Sequence, residues 1–273
     1  MLWFWWRLVC WRWLGLQWRA DDACCDTAAE EQGHRFMGTS TAQRSPATPA
    51  WEQVRDLYRA GVKDPAQIAR QVVSALTPET RAQMQGPGVV ACLDTALRGA
   101  VLSAVAPPTG LLQDIQGGLQ AAARLRLDAE RRLATEGMGS RFADVALDAL
   151  GSCLVEVLGP DGRLERLGAY QRQGQLHQLA ARFLGADIDR VFRYFVTRDI
   201  ADFVGTSAWP SVAEARQVAA AVGAHCRTQA LQEQLSEDAL QEALRQDPQR
   251  RLAALKMPFG EALEASLRRI HGG

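Results

Sequence analysis

A glycine that follows a methionine and opens a polar stretch can offer one reactive group, its α-amine. Met37-Gly38-Thr39-Ser40 is such a place. If translation starts at Met37, removal of that methionine leaves Gly38 as the first residue, because glycine is small. An α-amine has a pKa of ~8, so a useful fraction is neutral and nucleophilic near pH 7. With no side chain, it fits a narrow enzyme pocket. The plainer reading of the same residues is an ordinary disordered terminus. N-myristoylation is disfavoured, since its pattern needs Ser or Thr where Ala42 stands.

A second group of polar residues lies in the most aromatic part of the chain, residues 189–205, DRVFRYFVTRDIADFVG. Arg193, Arg198, Asp199 and Asp202 stand there among Phe192, Phe195 and Phe203. Such residues either form ion pairs flanking a packed core or meet a partner, and exposed ion pairs are common. We take these four, with Thr39 and Ser40, as candidate partner-binding residues and Gly38 as a candidate acceptor.

Other chemistry-bearing residues are scattered. The cysteines are Cys10, Cys24, Cys25, Cys92, Cys153 and Cys226, and no CxxC pair occurs, so neither a zinc site nor a redox motif is supported. Cys92, Cys153 and Cys226 read as reduced, buried, small hydrophobes. Asp187 and Asp189 form a DxD without metal-ligand company. His225 and Cys226 are adjacent, about a third of a turn apart on a helix, which is not a ready catalytic pair. No HExxH, P-loop, GxSxG or kinase set occurs. The expectation is a non-catalytic protein with no metal and no cofactor. An enzyme would need a pocket assembled from residues such as His177, Asp199 and His225.

The elements that carry these residues read as helices. Alanine, leucine, glutamine and arginine abound, all strong helix formers, while valine and isoleucine are sparse and rarely alternate with polar residues. Thr48-Pro49, Asp64-Pro65 and Thr77-Pro78 each pair a cap with a first-turn proline. Gly86-Pro87-Gly88 then breaks the chain before an apolar helix over residues 89–106, rich in alanine and interrupted by Asp94 and Arg98, which suits a core rather than a membrane span. Further helices are expected over residues 109–135, 142–158, 164–184, 189–205 (as a helix pair), 211–235, from Ser236 onward, and 263–270. Gly159-Pro160-Asp161-Gly162 is the strongest turn. The expected organisation is all-α: helical subdomains over 50–158 and 163–271, preceded by a flexible tail over 37–49.

Residues 1–36 differ from the rest. Positions 2–18, LWFWWRLVCWRWLGLQW, hold six of the chain's eight tryptophans. Arg7 and Arg12 interrupt the run, and tryptophan suits membrane interfaces more than the hydrocarbon centre. An upstream extension from too early a start codon, an interfacial amphipathic helix and an export signal all fit, the first best. The formal net charge of zero gives no global electrostatic footprint for nucleic acid, and no direct nucleic-acid binding is expected.

At Met37-Gly38-Thr39-Ser40 with its Ser/Pro-rich tail, the chain resembles the QatB family of the Qat anti-phage defence system. Arg193-Tyr194-Phe195-Val196 and Asp202-Phe203-Val204-Gly205 are also similar to that family, and the likeness covers residues 37 to about 260. The family pattern begins at that methionine, from which residues 1–36 depart. The resemblance implies a cytoplasmic accessory protein with three partners: a Qat-type ATPase, a QueC-like enzyme of deazapurine chemistry and a TatD-like nuclease. QueC-like enzymes activate a carboxylate with ATP, so the resemblance implies Gly38 as acceptor of a deazaguanine adduct. The competing expectation is a helical structural or regulatory protein, membrane-associated through its Trp-rich start.

Overall fold

The computed structural model describes residues 48–105, 112, 117–233 and 235–272, and these are helical throughout, with no strand among them. Gly38, Thr39, Ser40, Cys10, Cys24, Cys25 and the Trp-rich run lie outside the described residues. The chain opens with α1 (Pro49–Arg59), α2 (Pro65–Ala75) and α3 (Pro78–Met84). Each starts as its sequence dictates. Thr48 accepts from the Trp51 amide, Asp64 from Ala66 and Gln67, and Thr77 from Thr80, with proline at the start of each helix. Each such cap is worth ~1 kcal/mol.

The central helix is α4 (Pro87–Ala104). It is buried on almost every side, including Val89, Val90, Leu93, Ala96, Leu97 and Ala100. The run Pro78–Ala104 is long and apolar enough to cross a membrane by length and composition, yet 72% of its most apolar window is buried inside the protein. That burial is what a core helix shows.

Around α4 stand α5 (Gly118–Thr135), α6 (Arg141–Leu158) and α7 (Leu164–Arg172). The helix expected over 109–135 is not continuous through Gly117, and residues 109–111 and 113–116 lie outside the described residues. Gly117 is extended and caps the helix, and Gly118 abuts Gly162 so closely that a Cβ on it would lie 2.4 Å from the Gly162 carbonyl oxygen. The expected helix over 164–184 is also two elements. It stops after Arg172, because Gly174 turns the chain at a φ of +63°, a conformation glycine adopts at little cost.

The longest elements follow. α8 (Leu176–Ile200) is one continuous helix, continued by a 3-10 turn at Ala201–Phe203, where a helix pair was expected over 189–205. No proline interrupts that span, and a buried stripe including Phe183, Val191, Phe192 and Phe195 runs through it. α9 (Val212–Ala230) starts at the Ser211 cap and lies along α8, where Gly185 takes the Leu231 side chain and Gly223 takes the Asp189–Arg193 pair. α10 (Glu237–Arg245) is capped by Ser236. α11 (Pro248–Gly272) is far longer than the expected 263–270, and it runs through Pro258. Proline there removes one helical hydrogen bond, while Leu255, Phe259, Leu263, Leu267 and Ile270 hold the helix against the core.

Buried side chains from residues 50–158 and from 163–271 belong to one continuous cluster. Gly99 shows how it closes: a Cβ there would meet Leu125 of α5 at 2.8 Å, with Leu167 of α7 at 3.4 Å. Trp51 packs on Phe195 with ring centres 5.4 Å apart, and Phe183 on Phe259 at 6.3 Å. Trp209 is fully buried, and its indole N–H donates to the Tyr58 carbonyl at 2.6 Å.

One buried acid fastens three helices. Asp94 on α4 has no exposed surface, and its carboxylate meets Arg132 of α5 at 2.5 Å and Arg251 of α11 at 2.7 Å. The Arg132 contact is a hydrogen-bonded ion pair. The Arg251 contact is close but misaligned for a hydrogen bond, so its attraction is Coulombic. A second buried acid has no such support. Asp187 on α8 is wholly enclosed, and neither carboxyl oxygen has a hydrogen-bond partner among the described residues.

Candidate functional site

Helical periodicity places Arg190, Arg193, Tyr194, Thr197 and Arg198 on one stripe of α8, at spacings of three and four residues. With Val145 and Asp148 of α6 they line an open groove of about 420 Å³. Each guanidinium is held differently, and the differences decide what it can do.

Arg198 is the anchor. Its side chain is only 9% exposed, and it grips the Asp199 carboxylate through two hydrogen bonds of 2.6 and 3.1 Å. It also lies 4.9 Å from the Trp51 ring centre, 5.3 Å from Phe195 and 5.7 Å from Tyr194. Such a stacked cation is stabilised by roughly 1 kcal/mol or more when partly desolvated. Arg198 therefore joins α8 to α1 and offers little of itself to solvent.

Arg193 is 42% exposed, with its Nε donating to Asp189 at 2.7 Å. Gly223 on α9 makes this pair possible, since a Cβ there would sit 2.1 Å from the Asp189 carboxylate. Arg190 donates from Nη2 to the Ser152 hydroxyl of α6 at 2.5 Å, and no carboxylate lies within ion-pair distance of it among the described residues. Asp148, on the opposite wall, pairs with Arg126 at 3.1 Å. Tyr194 is fixed from the α6 side, where Arg141 donates to its hydroxyl at 2.6 Å and lies 5.4 Å from its ring centre.

The sequence-predicted residues separate accordingly. Arg193 and Arg198 come together on the groove. Asp199 is buried behind Arg198, 2% exposed, and serves the fold. Its negative charge, after burial itself, helps hold the Tyr58 hydroxyl well above the usual phenol range. Asp202 sits exposed on the 3-10 turn, off the groove. Arg190 was not anticipated. Its spacing of three from Arg193 was the available signal, but the Ser152 wall that completes the groove is 38 positions away.

The residues of a scattered catalytic pocket do not meet. His177 and Asp199 lie on the same helix 22 positions apart, or ~33 Å at 1.5 Å per residue. His177 instead contacts Glu237 of α10, whose carboxylate accepts from its backbone amide at 2.8 Å and from its ring at 2.9 Å. Cys92, Cys153 and Cys226 are buried free thiols. Burial pushes Cys92 and Cys153 up to about 12 and raises Cys226 well above the usual value. None forms the thiolate that nucleophilic chemistry needs near neutral pH.

The fold and site define a helical protein with an arginine-lined surface groove. Compared with known families, curated proteins and solved structures, the chain matches none.

Proposed function

We propose that this protein is a non-catalytic accessory or scaffold component that works in the cytoplasm by docking a partner protein on the α6–α8 groove. The observation that carries this reading is the contrast between its arginines. Arg198 is buried and spent on the fold, whereas Arg193 and Arg190 reach the groove already oriented. Pre-oriented, partly desolvated arginines lose little entropy on pairing, which suits recognition.

The setting follows from the resemblance at residues 37–40, 193–196 and 202–205: an anti-phage defence assembly with a Qat-type ATPase, a QueC-like enzyme and a TatD-like nuclease. Gly38 is the proposed acceptor of modification there. The docking reading is tested by co-expressing the tagged full chain with those three partners and comparing it with Arg193→Glu. Loss of at least one partner from the variant, at a temperature where its melting curve shows it fully folded, supports the groove. Capture of the same set at the same yield refutes it. Intact-mass analysis from the complete operon tests Gly38 separately, and a Gly38 without added mass removes the acceptor role.

A further inference from the structure

The charge balance of the groove selects one kind of ligand. Asp148 is matched by Arg126, Asp189 by Arg193 and Asp199 by Arg198. Arg141 and Asp144, opposite in sign, share the first turn of α6. Arg190 is left as the one groove guanidinium without a carboxylate partner among the described residues, and only the Ser152 hydroxyl holds it. The groove thus carries a surplus of one positive charge. That surplus neutralises a carboxylate. A phosphate monoester, with a charge of about −1.5 to −2 at pH 7, would remain under-compensated beside Asp148.

The shape agrees. A planar guanidinium offers two parallel donors that match a carboxylate in a fork, and Arg190 uses one Nη atom on Ser152. Arg193, which also lines the groove, is held through its Nε alone in its Asp189 pair. Val145 gives an apolar wall for a short aliphatic stem, and Thr197 contributes an exposed hydroxyl. Arg141 and Arg198 already lie within 6 Å of the Tyr194 ring centre and compete with a stacked base there. About 420 Å³ is ample for a single acidic side chain with its neighbouring backbone.

We infer that the groove is a carboxylate-recognition site, in which Arg190, supported by Arg193, receives a glutamate or aspartate side chain of a partner protein. The inference rests on the docking role proposed above and names its chemistry. It is tested by fluorescence anisotropy on the full chain at low salt, with a short labelled Gly-Glu repeat peptide, its Gly-Gln twin and its phosphoserine twin. The glutamate peptide binds, the glutamine twin does not, and the phosphoserine twin binds no tighter than glutamate. Arg190→Gln weakens the glutamate peptide roughly tenfold, the scale of one charged hydrogen-bonded pair. Arg190→Lys falls between, because an ammonium keeps the charge without the fork. Arg216→Gln, an exposed arginine of α9, leaves binding unchanged.

Failure of the glutamate peptide to bind, equal binding by Arg190→Gln, or equal binding of the glutamine twin would each overturn the inference. Tighter binding of the phosphoserine twin would replace the carboxylate by a phosphoryl group. None of these outcomes alters whether Arg193→Glu still captures partners, so the docking role and its chemistry fail separately.

Discussion

Replacing Asp187 by Asn should stabilise the protein, and more so as the pH rises. Asp187 is fully enclosed with both oxygens unpartnered, and burial alone raises its pKa from the ordinary 3.8 to about 8. At neutral pH the folded protein holds a proton there that the unfolded chain has released. The folded state binds more protons, so stability falls as the pH climbs from ~4 towards ~8. The contribution is intact below the unfolded pKa and lost on approach to the folded one. At ~1.4 kcal/mol per pH unit, the loss reaches a ceiling of about 6 kcal/mol at pH 8. Local relaxation reduces this, and we expect ~2–3 kcal/mol. Asparagine keeps the shape and cannot ionise, so it removes the slope. The assay is urea unfolding of both proteins at pH 5 and pH 8. With a urea slope of ~2–3 kcal/mol per molar, the variant's midpoint should exceed the parent's by about 1 M at pH 8 and nearly coincide with it at pH 5. Parallel midpoints at both pH values would show that Asp187 is solvated or paired in solution, and the reasoning would fall.

Three further outcomes follow from the geometry. Asp94→Ala leaves Arg132 with only the more exposed Glu136 and Arg251 with no carboxylate among the described residues, and should cost ~3–5 kcal/mol in chemical unfolding. Arg198→Ala removes the bidentate partner of buried Asp199 and the cation over Trp51, so unfolding monitored by tryptophan fluorescence should shift down by ~3 kcal/mol. Gly118→Ala places a methyl group 2.4 Å from the Gly162 carbonyl, a backbone atom with little room to yield; the expected cost is ~1–3 kcal/mol in thermal unfolding.

The helical class and most helix starts were legible because their signals are local. Thr48-Pro49, Asp64-Pro65 and Thr77-Pro78 fix both the cap and the first turn within four residues. The break at Gly174 was not legible. Glycines at 168 and 185 sit inside helices, and nothing local distinguishes the one whose φ is positive. The length of α11 was obscured by Pro258, whose local penalty is outweighed by a buried stripe that tertiary packing supplies. Arg193 and Arg198 stood out as charges among aromatics. Their division of labour did not, since it depends on Trp51 and Gly223, which are remote in sequence.

Local openings commonly release one helix while the rest stays folded, so different helices exchange their amides with solvent at different rates. The Asp94 contacts change that ordering here. Releasing α11 would strand Asp94 with one arginine and uncover Phe259 and Leu263, so the last helix has no inexpensive way to detach. Its opening should therefore be coupled to that of α4, with the two exchanging hydrogen as a single cooperative unit. α4 and α11, some 150 residues apart, should then share one protection factor, set by a carboxylate with no exposed surface.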